Sequence, residues 1–260
     1  MALERIVPGT VEWEAYYANH ICRYAFAKNT LPTDQPLTIL DAACGVGYGS
    51  HFLAENGPWQ IFAIDQSNVA LETAARYFSK SNVQFLKDDC HTLKHTVPFA
   101  PFDAIISFET LEHLEYPEKF LEHCFAVLKT GGTLILSTPN KLVSSPTGEM
   151  HSKFHEREYT SVELHELLTH FNFREVTLFG QQYTEAGKER RHRRSEFYNQ
   201  KRNFFSRVRR KIQSMIHFKK PRLYMPEQIE DFEIILYDHP HLPMKQESSG
   251  PFVLLAVCKK

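Results

Sequence analysis

Five short runs of this chain are mostly apolar: residues 37–43, 59–65, 82–86, 102–108 and 133–138. Stretches of helical spacing separate them. In 11–28, Tyr16, His20, Arg23 and Tyr24 recur at intervals of three and four, and 68–80 and 161–170 have the same periodicity. Residues 175–180 and 252–259 repeat the strand pattern near the end. Runs that do not alternate between apolar and polar must be covered on both faces. Strands of that kind, alternating with helices, predict a doubly wound, mostly parallel α/β sheet.

Composition narrows the picture. The 260 residues carry 30 Lys+Arg against 31 Asp+Glu, with 42% hydrophobic and 13% aromatic residues. A balance of −1 excludes a globally basic nucleic-acid binder, and the aromatic content excludes disorder as the main state. The cysteines Cys22, Cys44, Cys90, Cys124 and Cys258 are odd in number and form no CxxC pair. A disulfide scaffold is not expected, and a reducing, cytoplasmic compartment is. The opening Met1-Ala2-Leu3-Glu4-Arg5 has no apolar leader core, and 252–258 is too short to span a bilayer.

Charge is distributed unevenly, with 14 of the 30 basic residues between Lys188 and Arg222. There, Phe204, Val208, Ile212 and Ile216 lie four apart, the spacing of an amphipathic helix. The segment can be a cap over an acceptor pocket, a peripheral contact with an anionic inner-membrane surface, a nucleic-acid patch, or a solvated helix packed on the domain.

The chemistry begins after the first strand. Cys44-Gly45-Val46-Gly47-Tyr48-Gly49-Ser50 is a glycine loop that lets the backbone approach a ligand, and Asp65 ends the second strand 20 positions after Gly45. An acid so placed can accept from both hydroxyls of an adenosine ribose. Ser50 stands where a pyrophosphate loop carries its third glycine. That spacing leaves a dinucleotide or S-adenosylmethionine open and weakens the former.

The run from Leu40 to Ser50 resembles motif I of class I S-adenosylmethionine-dependent methyltransferases, with Ala43 in place of the usual first glycine. The resemblance extends over about residues 4–182. It implies a Rossmann-like seven-stranded sheet whose last strand is antiparallel. It further implies S-adenosylmethionine contacts from Asp41, Ala43, Gly45 and Gly47, from Asp65 with Gln66 beside it, and from Asp89 and Cys90 at the adenine. Arg23 is a candidate for the methionine carboxylate or an anionic acceptor. Narrower runs, Ser137-Thr138-Pro139-Asn140 and Phe154-His155-x-x-Glu158-Tyr159-Thr160 among them, look like bacterial glycan and antibiotic-sugar methyltransferases.

Glu109-Thr110-Leu111-Glu112-His113 follows the fourth strand, where an acceptor should sit. In a helix, positions 109, 112 and 113 share one face. Glu109, Glu112 and His113, with His155 from the next strand-end loop, form a candidate site for Mg²⁺ or Mn²⁺. Without a metal, His113 is the candidate general base, with His155 beside it. ExxEH followed by His-x-x-Glu-aromatic-Thr resembles small-RNA terminal 2′-O-methyltransferases, where it holds a divalent ion, and part of it recurs in ubiquinone-pathway O-methyltransferases.

The expected organisation is a methyltransferase domain of 1–182 completed by 251–260, with a basic insertion at 183–250. The expected activity is O-methylation of a sugar hydroxyl in a glycan or glycoconjugate, free or linked to a phosphate or lipid. RNA 2′-O-methylation and a non-catalytic adaptor role are the alternatives.

Overall fold

The computed structural model describes residues 6–150, 152–193, 195, 228–237 and 250–260. The expected amphipathic helix at 204–216, most of the basic segment and His151 lie outside these residues.

Eight strands form one sheet: β1 (Thr38–Ala42), β2 (Gln60–Asp65), β3 (Val83–Lys87), β4 (Phe102–Phe108), β5 (Leu128–Pro139), β6 (Glu175–Tyr183), β7 (Phe232–Leu236) and β8 (Val253–Lys259). Their order is β3-β2-β1-β4-β5-β8-β6-β7. β1 to β5 pair in parallel, and β8 runs antiparallel to both β5 and β6. The helices are α1 (Val11–Thr30), α2 (Tyr48–Asn56), α3 (Asn68–Tyr77), α4 (Pro117–Val127), the single turn α5 (Lys141–Ser144) and α6 (Ser161–His170). The unbroken apolar strands have the expected cause: Ile39, Leu40, Ile61, Ile64, Ile105 and Ile106 are fully buried.

Among the described residues the sheet has eight strands where seven are expected. The extra strand, β7, falls inside the segment expected to be a helical insertion and takes the sheet edge beside β6. An edge strand needs to bury only one side. Phe232 is buried whereas Ile235 and Leu236 are exposed, so β7 lacks the continuous apolar signature of the central strands.

By compactness the chain divides into residues 1–22 with 183–233, and residues 23–182 with 234–260. In the smaller unit, Thr10 Oγ1 accepts from the Trp13 N–H at 3.1 Å and starts α1. Asp231 there meets Arg190 Nε at 2.6 Å.

In the larger unit, β1 and β4 are adjacent although two strands, β2 and β3, lie between them along the chain. In open parallel sheets the carboxyl edge beside such a switch is where ligands bind. The loops after β1, β2, β3, β4 and β5 all leave from that edge. The five cysteines form no disulfide. No helix among the described residues is long and apolar enough to cross a membrane.

Candidate active site

The loop between β1 and α2 turns through left-handed backbone at Ala43 (φ 63°), Gly45 (φ 58°) and Gly47 (φ 86°). Gly47 has a second reason to lack a side chain, because a Cβ would fall 2.7 Å from Ala74 Cβ and 2.8 Å from the Phe85 ring. At Gly45 a Cβ would meet nothing within 4 Å, so the space over the loop is open. Ala43 adopts the conformation that glycine takes without strain, which is why its replacement of the usual glycine is a departure with a structural cost.

Asp65 holds this loop. One carboxylate oxygen accepts from the Gly45 N–H at 3.1 Å and the other from the Ser67 N–H at 2.8 Å. Each oxygen can accept more than one hydrogen bond, so a ribose diol fits the same carboxylate. Asp41 is fully buried at the end of β1 and accepts from Ser50 Oγ at 2.6 Å and Tyr24 Oη at 3.3 Å. Burial pushes its carboxyl up to about 7, against the two hydroxyl hydrogen bonds and with the charge of Asp65.

After β3, Asp88 rather than Asp89 organises the chain. Asp88 is buried and accepts from the backbone N–H groups of His95 and Thr96 at 2.9 and 2.7 Å and from Thr96 Oγ1. Asp89 is exposed and accepts from the N–H and Nδ1 of His91 at 2.8 and 3.0 Å. Cys90 is half-buried, its thiol pushed up by burial and then by Asp65 and Asp89. Gln66 is exposed.

Residues 111–113 form one turn of 3₁₀ helix after β4, preceded by Glu109 at φ 52°. The expected α-helical face bearing Glu109, Glu112 and His113 is therefore absent, and Glu109 is turned elsewhere. Its Oε1 accepts from Ser137 Oγ at 2.8 Å, and its Oε2 lies 3.6 Å from Arg23 Nη2. Arg23 is buried, and its Nη1 donates to Gln181 Oε1 at 3.4 Å.

The remaining three residues do meet. Among the described residues, Glu112, His113 and His155 each offer a ligand atom, and these atoms lie within 4.8 Å of one another. Backbone bonds bring the two loops together: the Glu112 carbonyl accepts from the N–H groups of Glu156 and Arg157 at 2.7 and 3.2 Å. Thr138 Oγ1 donates to Glu112 Oε2 at 3.0 Å. Burial, then the charge of Glu109, pushes the Glu112 carboxyl well above the usual range; a cation beside it would offset both.

His113 Nδ1 lies 2.9 Å from the Phe154 carbonyl, which can only accept, so Nδ1 carries the proton in the neutral ring. Nε2, 3.9 Å from Glu112 Oε1, is then the nitrogen able to ligate. His155 Nδ1 lies 2.8 Å from Glu158 Oε1. Burial works against the Glu158 carboxylate, but hydrogen bonds from the Ser144–Ser145 turn and His155 outweigh it and hold the carboxyl below its usual range.

Sequence reading missed the supporting residues. Tyr24 looks like core packing in sequence; Ser50 and Thr138 stand inside the runs quoted above without any sign of the acid each one serves, and nothing near Gln181 in sequence points to Arg23. Glu158 stands in the His-x-x-Glu run and could have been singled out by that spacing.

Comparison with known proteins agrees with this geometry. Residues 40–136 match the family model described as "Methyltransferase domain". A "probable S-adenosylmethionine-dependent methyltransferase" of Mycolicibacterium smegmatis is 28% identical over 167 residues, which are 64% of this chain and 62% of that protein. The chain thus spans less than two thirds of the length of that relative. A ubiquinone biosynthesis O-methyltransferase of Caulobacter vibrioides is 31% identical over 110 residues, 42% of this chain and 43% of its own. A phosphoethanolamine N-methyltransferase of Triticum aestivum is 32% identical over 136 residues, 51% of this chain and 26% of its own. The crystal structure of an S-adenosylmethionine-dependent methyltransferase from Archaeoglobus fulgidus has the same fold. Its TM-score is 0.60 at 14% identity, covering 96% of this chain and 97% of that one. These matches support the resemblance to class I S-adenosylmethionine-dependent methyltransferases. They do not extend to the narrower likeness to glycan and antibiotic-sugar enzymes.

Proposed function

We propose that this chain methylates a hydroxyl oxygen that has a second oxygen on the neighbouring carbon, the leading acceptor being a sugar in a glycan or glycoconjugate. The observation that carries this reading is the convergence of Glu112, His113 and His155 within 4.8 Å at the strand edge that also bears Asp65 and the glycine loop.

S-adenosylmethionine supplies an electrophilic methyl group, and the acids and open loop fit its adenosine and its cationic methionine end. The task left to the chain is alignment of an acceptor oxygen and removal of its proton. One carboxylate and two imidazoles fit a divalent cation. With Glu109 turned away, this set favours Mn²⁺ over Mg²⁺, because imidazole suits the softer ion. Such an ion holds two neighbouring oxygens and lowers the pKa of the attacked hydroxyl. If no ion is used, His113 takes the proton and His155 is its neighbour. The basic segment 188–222 then meets an anionic acceptor or the inner-membrane surface that carries it, which salt-sensitive sedimentation with anionic vesicles would test.

The deciding experiment is labelled-methyl transfer to methyl glycosides, catechol, a short RNA and phosphoethanolamine, with and without excess EDTA. Vicinal-oxygen acceptors should be methylated, with activity lost in EDTA and restored by Mn²⁺. Full activity in EDTA eliminates the metal and leaves base catalysis. Methylation of the RNA alone promotes the 2′-O-methyltransferase alternative, and exclusive methylation of phosphoethanolamine, as the wheat relative's name would have it, replaces oxygen by nitrogen. No binding of S-adenosylmethionine leaves the non-catalytic adaptor.

A further inference from the structure

We infer that Glu158 is a positioning residue for the Glu112–His113–His155 centre: its carboxylate keeps the proton of His155 on Nδ1 and thereby makes Nε2 the nitrogen that can ligate or accept a proton. What this does for an ion rests on the metal-assisted reading above. The tautomer itself is a property of the chain alone.

The argument is geometric. Glu158 is buried, with its side chain 1% exposed, and both oxygens have donors. Oε1 faces His155 Nδ1 at 2.8 Å, and Oε2 accepts from Ser144 Oγ at 2.9 Å. Ser144 is itself placed at the end of α5, where its backbone N–H donates to the Asn140 carbonyl at 2.8 Å. A carboxylate only accepts, so the ring nitrogen facing it must donate.

His113 reaches the same tautomer by another route, through the Phe154 carbonyl at 2.9 Å. The two imidazoles therefore present the same kind of nitrogen, one fixed by main chain and the other by a side chain. The rings stand 5.1 Å apart and are inclined at 70°. A side chain three residues beyond His155 thus does for one histidine what a peptide carbonyl does for the other. Ligating histidines are commonly oriented by such an acceptor on their second nitrogen.

The test uses Glu158→Gln in the full chain. A glutamine side chain can accept from Nδ1–H or donate to a bare Nδ1, so it tolerates both tautomers where glutamate tolerates one. Two-bond ¹H–¹⁵N correlations of the imidazoles in metal-free protein should show His155 protonated on Nδ1 in the wild type and a mixture in the variant. Mn²⁺ titrated alone should bind the variant roughly 10–100-fold more weakly, with the melting temperature little changed. A wild-type His155 protonated on Nε2 overturns the inference, as does a variant with the wild-type tautomer and wild-type Mn²⁺ affinity. If the wild type binds no Mn²⁺ while the tautomers behave as stated, the metal reading fails and the positioning role stands. If Glu158→Gln does not fold, the wild-type tautomer alone decides.

Discussion

Asp65 Oδ2 accepts the backbone N–H of Gly45 over 3.1 Å, which fastens the acid at the end of β2 to the glycine loop that leaves β1. The residue expected to bind a ribose therefore also shapes the loop beside it. Asp65→Ala removes both functions. S-adenosylmethionine affinity, measured by calorimetric titration, should fall by about 1.5–3 kcal/mol, or roughly 10–150-fold. Unchanged affinity would place the adenosine elsewhere.

The left-handed residues of the loop separate by their surroundings. Ala43→Gly should leave stability unchanged or raise it by up to about 1 kcal/mol, because relief at φ 63° is partly offset by the freer unfolded chain. Gly45→Ala should cost about 1–2 kcal/mol from backbone strain alone. Gly47→Ala should cost more, since its Cβ also strikes Ala74 and Phe85. Urea midpoints rank the three, and equal losses at Gly45 and Gly47 would contradict the crowding argument.

Glu109 and Glu112 are separated by what they touch. Glu112→Gln should weaken Mn²⁺ binding strongly, whereas Glu109→Gln should leave it within a few-fold of the wild type, because Glu109 is engaged by Ser137 and Arg23. Equilibrium titration by electron paramagnetic resonance reads both. Equal losses would return Glu109 to the ligand set.

Asp41 should give stability a pH dependence. Its carboxyl is pushed up to about 7 from 3.8, chiefly by burial. The folded protein thus keeps a proton there that the unfolded chain releases near pH 4. The contribution is complete below that pH and is lost as pH rises through about 7. Asp41→Asn removes this titration, so the urea midpoint of the variant relative to the wild type should improve from pH 5 to pH 8. A difference independent of pH would show that Asp41 is ionised throughout.

The elements expected to face a cofactor can be read in the chain itself. The apolar runs, the glycine loop and Asp65 are written in short windows, because a strand, the turn that ends it and an acid at a strand end are set by neighbours in sequence. The surroundings of Glu109 were not legible: it sits at a left-handed turn of the backbone, φ 52°, and its carboxylate meets Ser137 and Arg23, which lie far from it in sequence. Nor was the meeting of His113 with His155, which depends on hydrogen bonds from Glu156 and Arg157 to the Glu112 carbonyl. The pairing of Arg23 with Gln181, 158 positions apart, likewise exists only once the sheet has formed. Local periodicity selects the elements and the residues at their ends. Which of those residues share a centre is settled by hydrogen bonds between loops far apart in sequence, and no short window of the chain contains both partners.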